Sequence, residues 1–326
     1  MRNIQLVTAF FALFFGSVLM AEKSELKIAK QYGLAYLPLI VAEEHKLIEK
    51  NAKTLGLGNI KVSWLTLSGG ATANDALLSN SVDLVSGGVA PLIRLWDKTN
   101  GKVKILASLN EAPQILNTSN LKIKTLRDFT DKDKIAVPSV KVSIQSLVLQ
   151  IAAAKEYGIE NYDKLDYLTV ALKHSDAFVA LTSGKSEITA HFTQEPFSTV
   201  ELQNPNIHEV LNSYDVLGGK HTSNLVFTSE DFYKNNPKLS SAIISAIEEA
   251  DRWINANKNA AAKLYLAASK SNEPLELVEE ILSKPNFTYA LKPSPNITLF
   301  SDFLFAIGAI KTKPSDWKEL SFDKIH

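Results

Sequence analysis

Two α/β lobes, each a mostly parallel sheet covered by helices, are what this sequence predicts. Three observations carry the expectation. The chain has 326 residues, long for one compact domain, and 45% of them are hydrophobic, enough to fill two cores. Short alternating apolar runs are each followed by a helical stretch, repeatedly through the first hundred residues. The same pattern then restarts after a polar stretch at Asn117–Lys124.

Taken in order, Leu26 and Ile28 alternate as a strand ending at Gly33, and Pro38 opens an amphipathic helix running towards Gly56. Ile60, Val62 and Trp64 alternate as a second strand, which places Trp64 in the core. Ser68, Gly69 and Gly70 then lead into a helix over Ala71–Ser79. A third strand, Val82–Val85, meets Gly87 and Gly88 before a helix with Leu92, Leu95 and Trp96, and a fourth covers Val103–Leu106. In the second half the expected elements are strand Ile135–Val137, helix Ser143–Tyr157, strand Tyr167–Val170, helix Ala177–Thr182 and strand Glu187–His191. From Ser229 onward the chain reads as helical, including Leu239–Ala256 and Ala260–Ala268, before a polar C-terminus. Helices without strands of their own should pack back on the first lobe. No heptads, low-complexity linker or repeat of solenoid length is present.

Composition excludes several roles. The chain carries 35 basic and 35 acidic residues, and loss of Arg2 with the leading segment would leave it near minus one. Neither nucleic acid nor an anionic membrane surface is indicated. The start, MRNIQLVTAFFALFFGSVLMA, sets one positive charge before an apolar run and a small residue, so secretion with cleavage after Ala21 is expected. An uncleaved anchor is the alternative, because Ile4–Ala21 almost reaches bilayer-spanning length. The chain has no cysteine, which removes lipid attachment through a thiol, disulfides and thiolate metal sites. A soluble periplasmic monomer fits this best.

In open α/β sheets ligands bind beyond the carboxyl ends of strands, where helices begin. Here those places are Gln31, Tyr32 and Gly33; Ser68, Gly69, Gly70 and Ala71; Ser86, Gly87, Gly88 and Val89; Ser139, Val140, Lys141 and Ser143; and His191, Phe192 and Thr193. Paired glycines allow close backbone approach or simply make a tight turn, and free N–H groups at a helix start favour an anion. Lys141 could donate to an oxyanion or point to solvent. His191 could be a ligand contact or a hydrogen-bonded structural residue. Tyr32, Tyr36, Phe192 and Tyr214 could stack on a flat ligand.

The strings QYGLAYLPLIVAEEHKLIEK, TLSGGATANDALLSNSVDLVSGGVAP and ALTSGKSEITAHFTQEPF, in this order and spacing, resemble the solute-binding proteins of the nitrate, taurine and aliphatic-sulfonate import family. That family also includes receptors for thiamine-precursor pyrimidines. The resemblance runs from Leu26 through the GAIKTKPSDWKEL ending. It implies a type II periplasmic-binding fold, two lobes joined by two crossover strands that close on a ligand. The crossovers then fall near Asn110–Gln114 and Asn212–Asp215, making Asn110 and Tyr214 candidate ligand residues. The implied division is 1–21 secretory segment, 22–110 first lobe, 111–213 second lobe, and 214–326 completing the first lobe. The implied role is the substrate-binding component of an ABC importer, delivering a small organic anion to a membrane permease, with no cofactor. A neutral heteroaromatic pyrimidine is the alternative ligand.

Three other classes find less support. One enzyme of this fold, the eukaryotic thiamine-pyrimidine synthase, carries a cysteine-rich motif that this sequence lacks. Nor does the sequence hold G-x-S-x-G, G-x-x-x-x-G-K, H-E-x-x-H or G-x-G-x-x-G. Metal delivery would call for clustered ligands, whereas His45, His174, His191, His208, His221 and His326 are dispersed. A structural or adhesive protein would show repeats.

Overall fold

The computed structural model describes residues 21–326. The expected secretory segment, apart from its border residue Ala21, lies outside them. The first stretch alternates β1 (Glu25–Lys30), α1 (Leu37–Glu44), α2 (Leu47–Thr54), β2 (Lys61–Thr66), α3 (Gly70–Leu78), β3 (Leu84–Gly88), α4 (Val89–Lys98) and β4 (Val103–Glu111). Then come β5 (Ile115–Thr118), β6 (Ile135–Val137), α5 (Ile144–Tyr157), β7 (Thr169–Ala171), α6 (His174–Ser183), β8 (Ala190–Thr193), α7 (Phe197–Leu202), β9 (His208–Asn212) and α8 (Ser213–Leu217). The last stretch is β10 (Thr222–Ser229), α9 (Glu230–Asn235), α10 (Pro237–Ala256), α11 (Lys258–Ser269), α12 (Leu275–Ser283), β11 (Thr288–Tyr289) and α13 (Thr298–Ala306).

Two sheets form, as expected. The six-stranded sheet runs β11-β4-β10-β3-β1-β2 and the five-stranded sheet β7-β6-β8-β5-β9. In the first, β1 lies parallel to both β2 and β3, with Ile28 opposite Trp64 and Leu84. The mostly parallel first sheet that the sequence predicts is interrupted by an antiparallel strand. β10 enters between β3 and β4, antiparallel to each, so a strand from late in the chain sits inside the early sheet. In the second sheet β6 is parallel to β7 and β8, and β5 is antiparallel to β8 and β9.

The helix expected from Pro38 to Gly56 is two helices. The chain breaks at His45, and Lys46 takes a left-handed conformation (φ 51°) that reorients α2. His45 packs edge-on against Trp253 of α10, centroids 4.6 Å apart. Trp64 is half-buried, packed against the core, with Lys30 Nζ 5.5 Å from its ring centroid.

The C-terminal helices do pack on the six-stranded sheet. Leu239, Ala242, Ile243, Ala246, Ile247, Ala250 and Ile254 recur every three or four residues on α10 and are buried against α1 and α2. The tail is not a loose polar end. Leu320, Phe322 and Ile325 are buried, Ser321 bridges Ile105 in parallel, and the Ile105 N–H donates to Leu320 O. On the opposite sheet face α3, α4 and α13 share an apolar core with α5, because α4 meets α5 directly. That meeting sets the starts of both helices beside one another. Among the described residues no helix is long and apolar enough to cross a membrane.

Candidate functional site

A cavity lies between the two sheets, lined by Gln31, Tyr36, Gly70, Gly88, Pro91, Pro138, Ser143, Ile144, Gln145, His174, Gln194 and Asn224. Its free volume is about 10 Å³, room for roughly one water. Four lining residues are helix starts: Gly70 opens α3, Gly88 caps α4, Ser143 caps α5 and His174 opens α6. These helices have 9, 10, 14 and 10 residues, long enough for their N-terminal dipoles to favour negative charge in the space they share. No Lys, Arg, Asp or Glu lines the cavity.

Hydrogen bonds hold the polar lining in place. Tyr36 O–H donates to Asn224 Oδ1 at 2.8 Å, and burial raises its phenol above the ordinary range. Asn224 Nδ2 donates to Asn110 Oδ1 (3.2 Å) and Gln194 Oε1 (3.1 Å), while Gln194 Nε2 donates to Tyr32 O (3.1 Å). Gln31 Nε2 donates to Ser86 O at 2.9 Å. Gln145 Nε2 donates to Gln114 Oε1 at 2.6 Å and lies 3.3 Å from His174 Nε2. Behind His174, its Nδ1 is 2.9 Å from His191 Nε2, and His191 Nδ1 is 2.6 Å from Glu201 Oε1. Burial, reinforced by His191, drives His174 well below the usual histidine range, so it is neutral at pH 7.

The units on either side of the cavity touch. The Leu34 N–H donates to Glu195 O (3.0 Å), and Lys284 Nζ donates to Glu195 Oε1 (3.0 Å) and Thr199 Oγ1 (2.6 Å). A Cβ on Gly69 would lie 2.6 Å from both Pro138 O and Ser139 Oγ, and one on Gly88 would lie 3.1 Å from Ile144. Within one unit, a Cβ on Gly70 would strike Pro91 at 2.6 Å, and one on Gly87 would meet Gln31 at 3.1 Å. None of the four has positive φ, so close approach and not backbone freedom is what requires glycine here.

Of the residues expected at the site, Gln31, Gly70, Gly88 and Ser143 line the cavity. Ser68, Ala71, Ser139 and Val140 line an adjoining groove of about 280 Å³ with Thr72, Pro138 and Lys173. Tyr32 supplies its carbonyl and has Lys173 Nζ 5.5 Å from its ring centroid. Gly33, at φ 112°, lies against Glu195 O, and Val89 is the buried first residue of α4. Asn110 stands one layer back, behind Asn224. Gly69 faces the opposite unit and Gly87 lies within β3, beneath Gln31.

Four expected positions fall elsewhere. His191 does not end its strand at the cleft edge. β8 runs on to Thr193, so His191 is fully buried and reaches the cavity only through His174. Phe192 points to the other face of β8, into the core. Tyr214 sits on α8, its O–H donating to Asn286 O. Lys141 is largely exposed, with Nζ 3.9 Å from Asp166.

Tyr36, expected only as a stacking group, joins Gln145, His174, Gln194 and Asn224 in the wall, four residues for which the sequence carries no site expectation. His174 was legible in principle, because Asp176 marks a first helical turn that starts at His174 instead of Ala177. Gln194 lies inside the HFTQEPF string. Asn224 belongs to β10, for which no alternation is visible. Among the described residues no group of three His, Asp or Glu side chains is placed to hold a metal ion.

Residues 20–268 match the NMT1-like family. No curated protein sequence matches the chain. Among solved structures, the alkanesulfonate-binding protein SsuA from Xanthomonas axonopodis pv. citri, bound to MOPS, is 18% identical. The match covers 90% of this chain and 96% of that one, with a TM-score of 0.71. The periplasmic aliphatic sulphonate binding protein SsuA from Escherichia coli is 18% identical over 93% of each chain, TM-score 0.68. The periplasmic nitrate-binding protein NrtA from Synechocystis PCC 6803 is 17% identical, covering 93% of this chain and 86% of that one, TM-score 0.69. At these identities the likeness is one of fold.

Proposed function

The chain belongs to the NMT1-like family, and on that footing we propose that it is the exported receptor of an ABC importer, closing on a small organic anion and presenting it to a membrane permease. The observation that carries the anion is the convergence of four helix N-termini on one cavity with no acidic side chain in its wall. A sulfonate or carboxylate head would take the free N–H groups of those helix starts, and a short tail would run into the groove beside Ser68, Ala71 and Val140. The sulfonate- and nitrate-binding neighbours support the same class. Reversible capture needs no bond made or broken, only a closed form that the ligand favours. The apolar start of the sequence supports export to the periplasm with cleavage before Glu22.

The amides of Gln31, Gln145, Gln194 and Asn224 favour one second reading, because they offer both donors and acceptors, as a neutral pyrimidine would require. Native mass spectrometry of the protein isolated from its own source decides between them. We expect a small anion, released unchanged on denaturation. Recovery of a neutral heteroaromatic would replace the anion, and recovery of a chemically altered product after repeated turnover would replace the receptor with an enzyme.

A further inference from the structure

A buried anion needs positive charge or strong donors nearby, yet the cavity wall carries no lysine or arginine. Its titratable side chains are the Tyr36 phenol and the His174 imidazole, and only the imidazole can become a cation. His174 is not alone. Its Nδ1 meets His191 Nε2 at 2.9 Å, His191 Nδ1 meets Glu201 Oε1 at 2.6 Å, and Asn117 Nδ2 donates to Glu201 Oε2 at 2.9 Å. His191, Glu201 and Asn117 are each 0% exposed and His174 is 6% exposed, and the chain of groups meets the cavity at His174.

The hydrogen bonds place the protons. Gln114 Nε2 donates to Ser223 Oγ, which leaves its oxygen to accept from Gln145 and turns the Gln145 nitrogen towards His174 Nε2. His174 Nε2 therefore accepts, its Nδ1–H donates to His191 Nε2, and His191 Nδ1–H donates to the Glu201 carboxylate. In this state the chain carries one negative charge and turns an acceptor towards the cavity, the wrong polarity for an anion. One added proton reverses this: His174 Nε2, now protonated, can no longer accept from the Gln145 amide nitrogen and is left to donate to an acceptor in the cavity, and the imidazole pair carries a positive charge opposite Glu201.

Resting on the anion reading above, we propose that Glu201, His191 and His174 form a buried proton relay, through which an anion enters the cavity together with one proton from solvent. The buried charge is then the same before and after, minus one on Glu201 at first and minus one on the ligand afterwards. Other groups around His174 leave this balance alone. Lys173 and Asp176 pair with each other at the surface, Glu195 is paired with Lys284, and α5 and α7 present uncharged Gln145 and Phe197.

The test is calorimetry of the purified full chain with ethanesulfonate, acetate and nitrate from pH 5 to 8.5, in buffers of different ionisation heat. Expected are uptake of up to one proton per anion and an affinity that rises as pH falls, by up to tenfold per pH unit. Glu201→Gln should still bind the anion but take up no proton. Because a substitution at this buried position risks the fold, ring-nitrogen shifts of His174 and His191 in the wild-type protein give a second readout. Both rings should be Nδ1–H tautomers before the anion is added and share a further proton afterwards. Binding without pH dependence or buffer-dependent heat overturns the relay and leaves the anion reading standing, as does proton uptake that persists in Glu201→Gln. Failure of all three anions to bind at every pH overturns the anion reading and the relay with it.

Discussion

Asp251 sits on the inner side of α10 with Oδ1 buried and, among the described residues, unpartnered, and burial, with Glu248 adding to it, pushes its carboxyl up to about 8. The folded chain thus keeps a proton that the unfolded chain releases near 3.8, so this group's stabilisation is full below that value and is lost as pH rises through 8. Asp251→Asn should flatten the profile: its melting temperature should exceed the wild type's by several degrees at pH 9 and by little at pH 5, as differential scanning calorimetry would read. His221 acts in the opposite sense. Burial pushes it down to about 4, so its stabilisation is present above 6.5 and declines as pH falls towards 4. Single residues of this kind were the least legible from sequence, because titration depends on what surrounds a side chain. His191 and His174 show the same limit. The strand that carries His191 is legible in the sequence, but which of two histidines faces the cavity turns on two further residues of β8.

Among the elements, the paired glycines mark the starts of α3 and α4. They stand at the site, yet Gly69 and Gly88 make room for the opposite unit. Gly69 has an extended backbone (φ 180°) that alanine adopts without strain, so Gly69→Ala isolates the collision with Pro138 and Ser139. We expect its melting temperature to stay within a degree or two of the wild type's without ligand, while ligand binding weakens about tenfold or more, measured by calorimetry. Strands with one buried and one open face, such as β1, were legible because apolar and polar residues alternate. β5 and β10 were not. All four residues of β5 and seven of the eight in β10 are buried, so both faces must be filled and period two disappears. Polar members, Asn117 and Asn224 among them, then read as loop although each is hydrogen-bonded inside.

For the whole molecule, the Lys284 to Glu195 pair ties the C-terminal helices to the loop after β8, next to the cavity-lining Gln194. It touches no cavity-lining atom except through its neighbour Gln194. Lys284→Ala should therefore shift the balance between open and closed forms: a larger radius of gyration in solution scattering without ligand, and affinity lower by about fivefold, corresponding to roughly 1 kcal/mol for a partly buried pair. An unchanged scattering profile would assign the pair to static packing. The two-unit plan was legible from length and from the repeated strand and helix rhythm, whereas the order of strands was not, since pairing depends on segments far apart in sequence. That order has a consequence for how the chain is made. Every strand of the five-stranded sheet comes from residues 115–212, whereas the six-stranded sheet takes an interior strand from Thr222–Ser229 and an edge strand from Thr288–Tyr289. A chain synthesised from its N-terminus thus holds the full complement of its second sheet while the first still lacks a middle. The sheet begun first is the one closed last, and the bridge from Ser321 to Ile105 follows only after every strand of both sheets has been made.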